Sequence, residues 1–144
     1  MTDTKTCQFC DDLDVIYVHD GDLDGTPISE FAGCLVRLEH VETPYIVINI
    51  NQASRDLHDN NISSRNLDNY LTFIEAHETV HFLENHKDGT DENEFKADLY
   101  GTALCIIKGH QLAAEIGLKR MKQRYELEES IDNLIQNAVS DLQS

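Results

Sequence analysis

The chain has 144 residues, 40% of them hydrophobic, and its 27 acidic and 11 basic residues give a formal net charge of −16. This size predicts one globular domain with its own core, and the charge disfavours binding to nucleic acids or anionic membranes. No apolar run reaches the roughly 18 residues of a membrane span, and the N-terminus lacks a signal-peptide pattern. We therefore expect a cytoplasmic protein.

The N-terminal segment contains a Cys-x-x-Cys pattern at Cys7 and Cys10. Such a pair is compatible with a redox site, or with half of a second metal site to which Cys34 adds a third thiolate. Cys105 lies in an apolar helical stretch, where a cysteine is typically an inert core residue. We interpret residues 1–11 as a flexible tail with two reduced thiols.

Three segments are typical of β-strands. Residues 13–19 are rich in β-branched and aromatic residues and end at an Asp-Gly turn signal, and residues 31–39 alternate in polarity. Residues 45–50, which follow Pro44, are the most strand-like run of the chain. Residues 51–64 are polar, and we predict a loop there.

The hydrophobic period changes to that of a helix after Ser64, a plausible N-cap. This first helix is apolar over most of its circumference, which predicts a buried central element. Three more helices are predicted, from a cap at Thr90 to about residue 109, from residue 111 to about 127, and from about residue 130 onward. Strands followed by helices indicate an α+β domain, with a small antiparallel or mixed sheet of about three strands.

The buried helix contains an H-E-x-x-H motif, His77-Glu78-Thr79-Val80-His81. Histidines at i and i+4 lie on one helical face, so both imidazoles can reach one Zn²⁺ at about 2.0–2.1 Å. Glu78 is rotated by about 100°, where it can serve as general base toward a metal-activated water. Polar side chains on a buried face cost several kcal/mol unless they find partners, and a metal ion would satisfy them together.

The following helix offers the third protein ligand that a catalytic zinc site needs. Glu94 lies in its first turn, 13 residues after His81. Asp98 follows at i+4 on the same face, where it can accept the outer N–H of a ligand histidine. Gly101 and Cys105 continue this face with small side chains, so we expect the two helices to pack closely.

The H-E-x-x-H motif followed by Glu94-x-x-Ala97-Asp98 resembles the gluzincin pattern H-E-x-x-H…E-x-x-A-[D/N]. The short spacer and the preceding strand are similar to the ImmA/IrrE family of small cytoplasmic zinc metallopeptidases, over residues 45–105. Val80 stands where that family usually has glycine, and it commonly has Asn at the position of Asp98.

This resemblance implies a minimal zincin-like domain that binds one zinc ion per chain through His77, His81 and Glu94. It implies a hydrolase in which Glu78 is the general base, and a regulatory protease whose substrate is another protein. An oxyanion donor is also needed, and the sequence offers four candidates without choosing among them: Tyr45, His86, Tyr100 and His110. The strand over residues 45–50 could present its edge to an extended substrate.

Other interpretations are consistent with the same residues. The two histidines could be ordinary partly buried side chains paired with Asp98 and Glu94. Taken by itself, Glu94 could be an acid of the first turn that is favoured only by the helix dipole. Asp98 could likewise be a solvated helix residue. The protein could also be a catalytically silent zincin-fold binding or antirepressor-type module. A third alternative is an acidic decoy for a basic protein, whose binding would weaken with salt.

Overall fold

The computed structural model of the chain describes residues 3–23, 31–37, 43–86, 90–126 and 130–144. Within them, a four-stranded mixed sheet precedes most of the helical structure, which confirms the predicted α+β class. The elements are β1 (Asp3–Thr6), β2 (Asp14–Val18), β3 (Gly33–Val36), β4 (Tyr45–Asn49), α1 (Ile50–Asp59), α2 (Leu67–Leu83), α3 (Asp91–Ile107), α4 (Gln111–Arg124) and α5 (Ile131–Gln143). None of the helices in this part of the chain is long and apolar enough to cross a bilayer.

The sheet has the order β1-β2-β4-β3. β2 and β4 are parallel, and each outer strand is antiparallel to its neighbour. Alternate side chains of the two inner strands, Val15, Ile46 and Ile48, are fully buried, as expected for a sheet with one face on the core. The expectation that residues 45–50 form a free edge is wrong, because β4 pairs on both sides; the edge strands of the described sheet are β1 and β3. Residues 38 and 39 of the range predicted for the strand that became β3 lie outside the described residues.

The interpretation of residues 1–11 as a flexible tail is wrong for residues 3–11. β1 pairs with β2, and the backbone N–H of Cys7 donates to Leu13. The buried thiol of Cys7 lies 3.2 Å from the hydroxyl of Thr79 on α2. Gln8 donates from its backbone and its side-chain amide to Glu75, whose side chain is fully buried. The segment is therefore ordered by partners more than 60 residues away in the chain.

The predicted loop over residues 51–64 is also wrong, since α1 occupies most of it. The side chain of Asn49 caps this helix by accepting from the backbone N–H of Gln52. Ala53 and Leu57, one turn apart, are buried, and the other face is largely polar. α1 is thus an amphipathic helix that packs against the core through a narrow apolar stripe.

α2 is the central helix and packs against the sheet and against α1, α3 and α4. It begins at Leu67, three residues after the predicted cap, because residues 64–66 form a 3₁₀ turn. The helices predicted after it are confirmed, and α3 has the predicted Thr90 cap. The predicted close packing is confirmed as well: a Cβ at Gly101 would lie 3.1 Å from the Cα of His77.

A second tight contact leads to a test of this packing. A Cβ at Gly117 would lie 2.3 Å from Oγ1 of Thr102 and 2.7 Å from the ring of Phe73. We expect Gly117→Ala to lower the free energy of unfolding, because overpacking costs about 1–3 kcal/mol and exceeds the usual gain of Ala over Gly in a helix, about 1 kcal/mol. Urea unfolding measures the free energy of unfolding of the variant and of the wild type. Gly21→Ala, with no atom within 4 Å of the added carbon, is the control, and equal midpoints for the two variants would contradict the packing.

Candidate metal centre

Two imidazoles from α2 and one carboxylate from α3 converge at a single point. Nε2 of His77 lies 3.2 Å from Nε2 of His81. The carboxylate of Glu94 places Oε2 3.1 Å from the first nitrogen and Oε1 3.2 Å from the second. A tetrahedral ion with bonds of about 2.0–2.1 Å holds its ligands about 3.3 Å apart. The two nitrogens are therefore spaced like two corners of such a coordination sphere, and each lies close to one oxygen of the Glu94 carboxylate.

Glu78 completes a compact group of metal-binding side chains. Ligand atoms of His77, Glu78 and His81 all lie within 4.8 Å of one another, so this cluster could hold a metal ion. The Glu78 carboxylate is 3.7 Å from Nε2 of His77. Burial raises the pKa of Glu78, although the neighbouring histidines act in the opposite direction. Glu78 is thus a carboxylate at the edge of the site that accepts a proton more readily than an exposed glutamate.

The outer nitrogens of both histidines have partners as well. Nδ1 of His77 lies 2.8 Å from Oδ1 of Asp98, a close charge contact that is not aligned as a linear hydrogen bond. Nδ1 of His81 lies 2.9 Å from Nδ1 of His86. These contacts at Nδ1 orient both rings so that Nε2 faces the shared point, which is the arrangement that ligand histidines usually have.

Asp98 is the most enclosed charge of the site, with a side chain that is 0% exposed. The hydroxyl of Tyr125 donates to its Oδ2 at 2.9 Å, and Nε of Arg120 donates to its Oδ1 at 3.3 Å. Arg124 approaches Oδ2 at 3.6 Å. Burial acts to raise the pKa of Asp98, but His77, Arg120 and Tyr125 outweigh it and lower the pKa. The interpretation of Asp98 as a solvated helix residue is wrong.

Charge compensation in the protein without metal runs through the same groups. Burial acts to lower the pKa of His77, but the carboxylates of Asp98 and Glu94 prevail and raise it to about 10. The hydrogen bonds to the two histidines hold the pKa of Glu94 well below its usual range. Without a metal, the cluster is therefore an imidazolium held between two carboxylates, and a bound cation would take the place of that proton.

The cluster lies at the wall of a cavity of about 640 Å³. The segment from Phe31 to Leu35, which includes most of β3, forms one side, and a Cβ added at Gly33 would lie 3.5 Å from the side chain of Glu78. One face of α2, the first turn of α3, Asp56 of α1, His86 and two residues of α4 form the rest. α4 contributes Arg120 and Arg124, which the sequence analysis missed. The sequence offers no signal for them, because two arginines at i and i+4 on the polar face of an amphipathic helix are typical of solvated residues.

The four candidate oxyanion donors are placed very differently. His86 lines the cavity beside His81. The hydroxyl of Tyr100 donates to Asp141 on α5, and His110 packs against the ring of Phe9. Neither of these two, nor Tyr45, is among the described residues that line the cavity.

The Cys-x-x-Cys pattern gives no second metal site in the described structure. The four cysteines are free thiols, and none of them belongs to a described cluster that could hold an ion. Cys34 lines the main cavity, where burial and the charge of Glu78 raise its pKa to about 12. It is therefore a neutral thiol at physiological pH.

Comparison with known proteins gives no assignment: no protein-family model matches the chain, and no curated protein and no solved structure matches it either. Function is therefore inferred from the arrangement of His77, Glu78, His81 and Glu94, and from what surrounds them.

The enclosed position of Asp98 leads to a prediction for the protein without metal. Asp98→Asn keeps the shape of the side chain but removes the charge that compensates His77 and Arg120. We expect the free energy of unfolding to fall by about 3 kcal/mol, as when one member of a buried ion pair is removed. Urea unfolding in the presence of a chelator measures this. Asp141→Asn, which changes an exposed acceptor of Tyr100, is the control, and an equal loss in both variants would contradict the role of Asp98.

Proposed function

We propose that the protein is a zinc-dependent metallopeptidase of the minimal gluzincin kind that the ImmA/IrrE family represents. It hydrolyses a peptide bond of a protein substrate, with Glu78 as general base. The observation that supports this is the meeting of His77, His81 and Glu94. The two Nε2 atoms lie 3.2 Å apart, and the Glu94 carboxylate contacts one through Oε2 at 3.1 Å and the other through Oε1 at 3.2 Å. A buried carboxylate beside it and a cavity in front of it add the other parts that a hydrolytic site needs.

The donor set favours zinc over the other common ions. Ca²⁺ and Mg²⁺ take oxygen ligands almost exclusively, whereas two imidazoles and one carboxylate are a usual set for catalytic zinc. His77, His81 and Glu94 would hold the ion, and the cavity in front of them would leave it accessible to water and substrate. When bound there, the ion would supply Lewis acidity, lowering the pKa of a water to about 7 and polarising the substrate carbonyl.

The residues around the ion would handle the proton. Glu78 takes it from the attacking water, and because burial raises its pKa it can hold the proton and deliver it to the departing amine. The carboxylate of Asp98, 2.8 Å from Nδ1 of His77, would favour the tautomer that has its proton on that nitrogen, so that Nε2 remains available as a ligand. His86 acts on His81 from the same relative position.

β3 offers the surface on which an extended substrate would bind. It is one of the two edge strands of the described sheet, and it lines the cavity next to Glu78. Gly33 has no side chain, and a Cβ there would lie 2.3 Å from Cγ2 of Ile74, so the strand approaches α2 more closely than any other residue would allow. A substrate strand paired with β3 would place its peptide bonds over the donor cluster by β-augmentation.

Zinc content tests the ligand set. We expect the purified protein to contain about one zinc ion per chain, measured by elemental analysis after dialysis. His81→Ala removes one of three protein ligands and should abolish that occupancy. His58→Ala is the control, because His58 is an exposed histidine at the end of α1. Full occupancy in His81→Ala would contradict the proposed site.

Glu78→Gln tests the chemistry separately from the metal. It keeps the shape of the side chain but cannot accept the proton, so we expect cleavage of a peptide library to fall by about 10²–10⁴-fold while zinc is retained. Mass spectrometry of the library measures cleavage. Glu115→Gln, on the exposed face of α4, should match the wild type. Zinc-loaded wild-type protein that cleaves no peptide would instead support the catalytically silent binding module.

A further inference from the structure

We propose that the cavity recognises a carboxylate of its substrate through Arg120 and Arg124. The inference rests on the proposed peptidase function and adds a substrate class to it: peptides that carry a carboxylate near the bond to be cleaved. The carboxylate is either an Asp or Glu side chain or the C-terminal group of the peptide, since both present the same two oxygens.

Both guanidinium groups line the cavity, yet little of their hydrogen-bonding capacity is used. Among the described residues, Arg120 donates from Nε to Asp98 and from Nη1 to the hydroxyl of Tyr70. Nη1 of Arg124 lies 3.6 Å from Asp98, beyond hydrogen-bond distance, and its guanidinium packs over the ring of Tyr125. A guanidinium carries five N–H donors, so donors of both residues remain for a ligand.

The acidic neighbours do not occupy all the hydrogen-bond donors of the two arginines. The single charge of Asp98 is shared among His77, Arg120 and Arg124. Asp56, the other carboxylate at this end of the cavity, already accepts from the hydroxyl of Tyr70 and from the amide of Gln52. A substrate carboxylate would supply the acceptor oxygens that two neighbouring guanidinium forks match in geometry.

The arginines lie close to the donor cluster. Asp98, which is 2.8 Å from Nδ1 of His77, also contacts the guanidinium of Arg120 at 3.3 Å. Both arginines line the same cavity as His77 and His81. A substrate whose carbonyl lies at the donor cluster can therefore place a nearby carboxylate at the guanidinium groups.

The arginine pair favours acidic groups, whereas the net charge of the whole chain favours basic ones. A net charge of −16 favours basic partners at long range. The cavity wall carries carboxylates too, but it also presents two of the eleven basic residues one helical turn apart. Long-range charge affects mainly the rate of encounter, but direct contact decides which group is held in the cavity. We therefore expect the arginine pair to determine selectivity.

The experiment uses zinc-loaded Glu78→Gln, which binds peptides without cleaving them. Random short peptides are offered in matched pairs, with a free or an amidated C-terminus and with internal Asp and Glu or Asn and Gln, and retained peptides are identified by mass spectrometry. We expect carboxylate-bearing members to be enriched about tenfold or more over their amides, as for a charged hydrogen-bonded pair. The arm that shows the enrichment identifies which of the two carboxylates is recognised.

Two further substitutions in that background assign the effect to the arginines. Arg124→Gln changes a half-exposed residue with only a loose contact to Asp98, and it should reduce the enrichment about tenfold. Arg120→Lys keeps the charge that compensates Asp98 but loses the planar fork, and it should reduce the enrichment too. Arg55→Gln is the matched control, since Arg55 is an exposed arginine that contacts Asp20.

Equal retention of acids and amides, or an enrichment that neither arginine substitution lowers, would overturn the inference. Its failure is distinguishable from failure of the proposed function. A wild-type protein that cleaves acids and amides equally keeps the peptidase and loses the carboxylate preference. A wild-type protein that cleaves nothing, while Glu78→Gln still retains carboxylates through Arg124, keeps the anion site and loses the peptidase.

Discussion

The site depends on how closely α3 packs against α2. Gly101 lets the backbone of α3 lie so close to α2 that a Cβ added at this glycine would be only 3.1 Å from the Cα of His77. Glu94 and Asp98 lie two turns and one turn before this contact on the same helix, so the contact positions both carboxylates over His77 at once. A larger side chain at Gly101 would push the helices apart by several tenths of an ångström, and donor atoms that must meet within about 0.2 Å of ideal bond lengths would no longer share one point.

Burial makes this arrangement costly unless its charges compensate one another. His77, Glu78 and His81 are each less than a tenth exposed, and isolated charges in such surroundings are destabilised by several kcal/mol. The protein without metal relies on a protonated His77 between Asp98 and Glu94. A divalent cation would replace that proton. It would also compensate the charge of Glu78, whose carboxylate is 3.7 Å from Nε2 of His77 and so is further from the protonated ring than Asp98 and Glu94 are. The electrostatics of the cluster thus favour a cation over an empty cluster.

Those parts of the structure that depend on local signals were predictable from the sequence, and those that depend on distant partners were not. The H-E-x-x-H spacing, the Thr90 cap and the small face of α3 are local, and together they predict the donor cluster. β1 has no apolar pattern of its own and is ordered by β2 and by Gln8 on Glu75, a contact across 67 residues. α1 did carry a local signal, since Ala53 and Leu57 are one turn apart, but its many polar residues concealed it.

The arginines of α4 lie on a helix that was predictable from the sequence, but their position in the cavity was not predictable. From the sequence, Arg120 is indistinguishable from a solvated residue on an amphipathic helix, because only tertiary packing turns it toward Asp98. α4 can pack there because Gly117, three residues earlier, leaves room for the ring of Phe73. The same kind of close contact that aligns α3 with the histidines therefore also sets the α4 wall of the cavity. The helices that carry the motif would determine the chemistry, and the helix outside the motif would determine which substrates reach it.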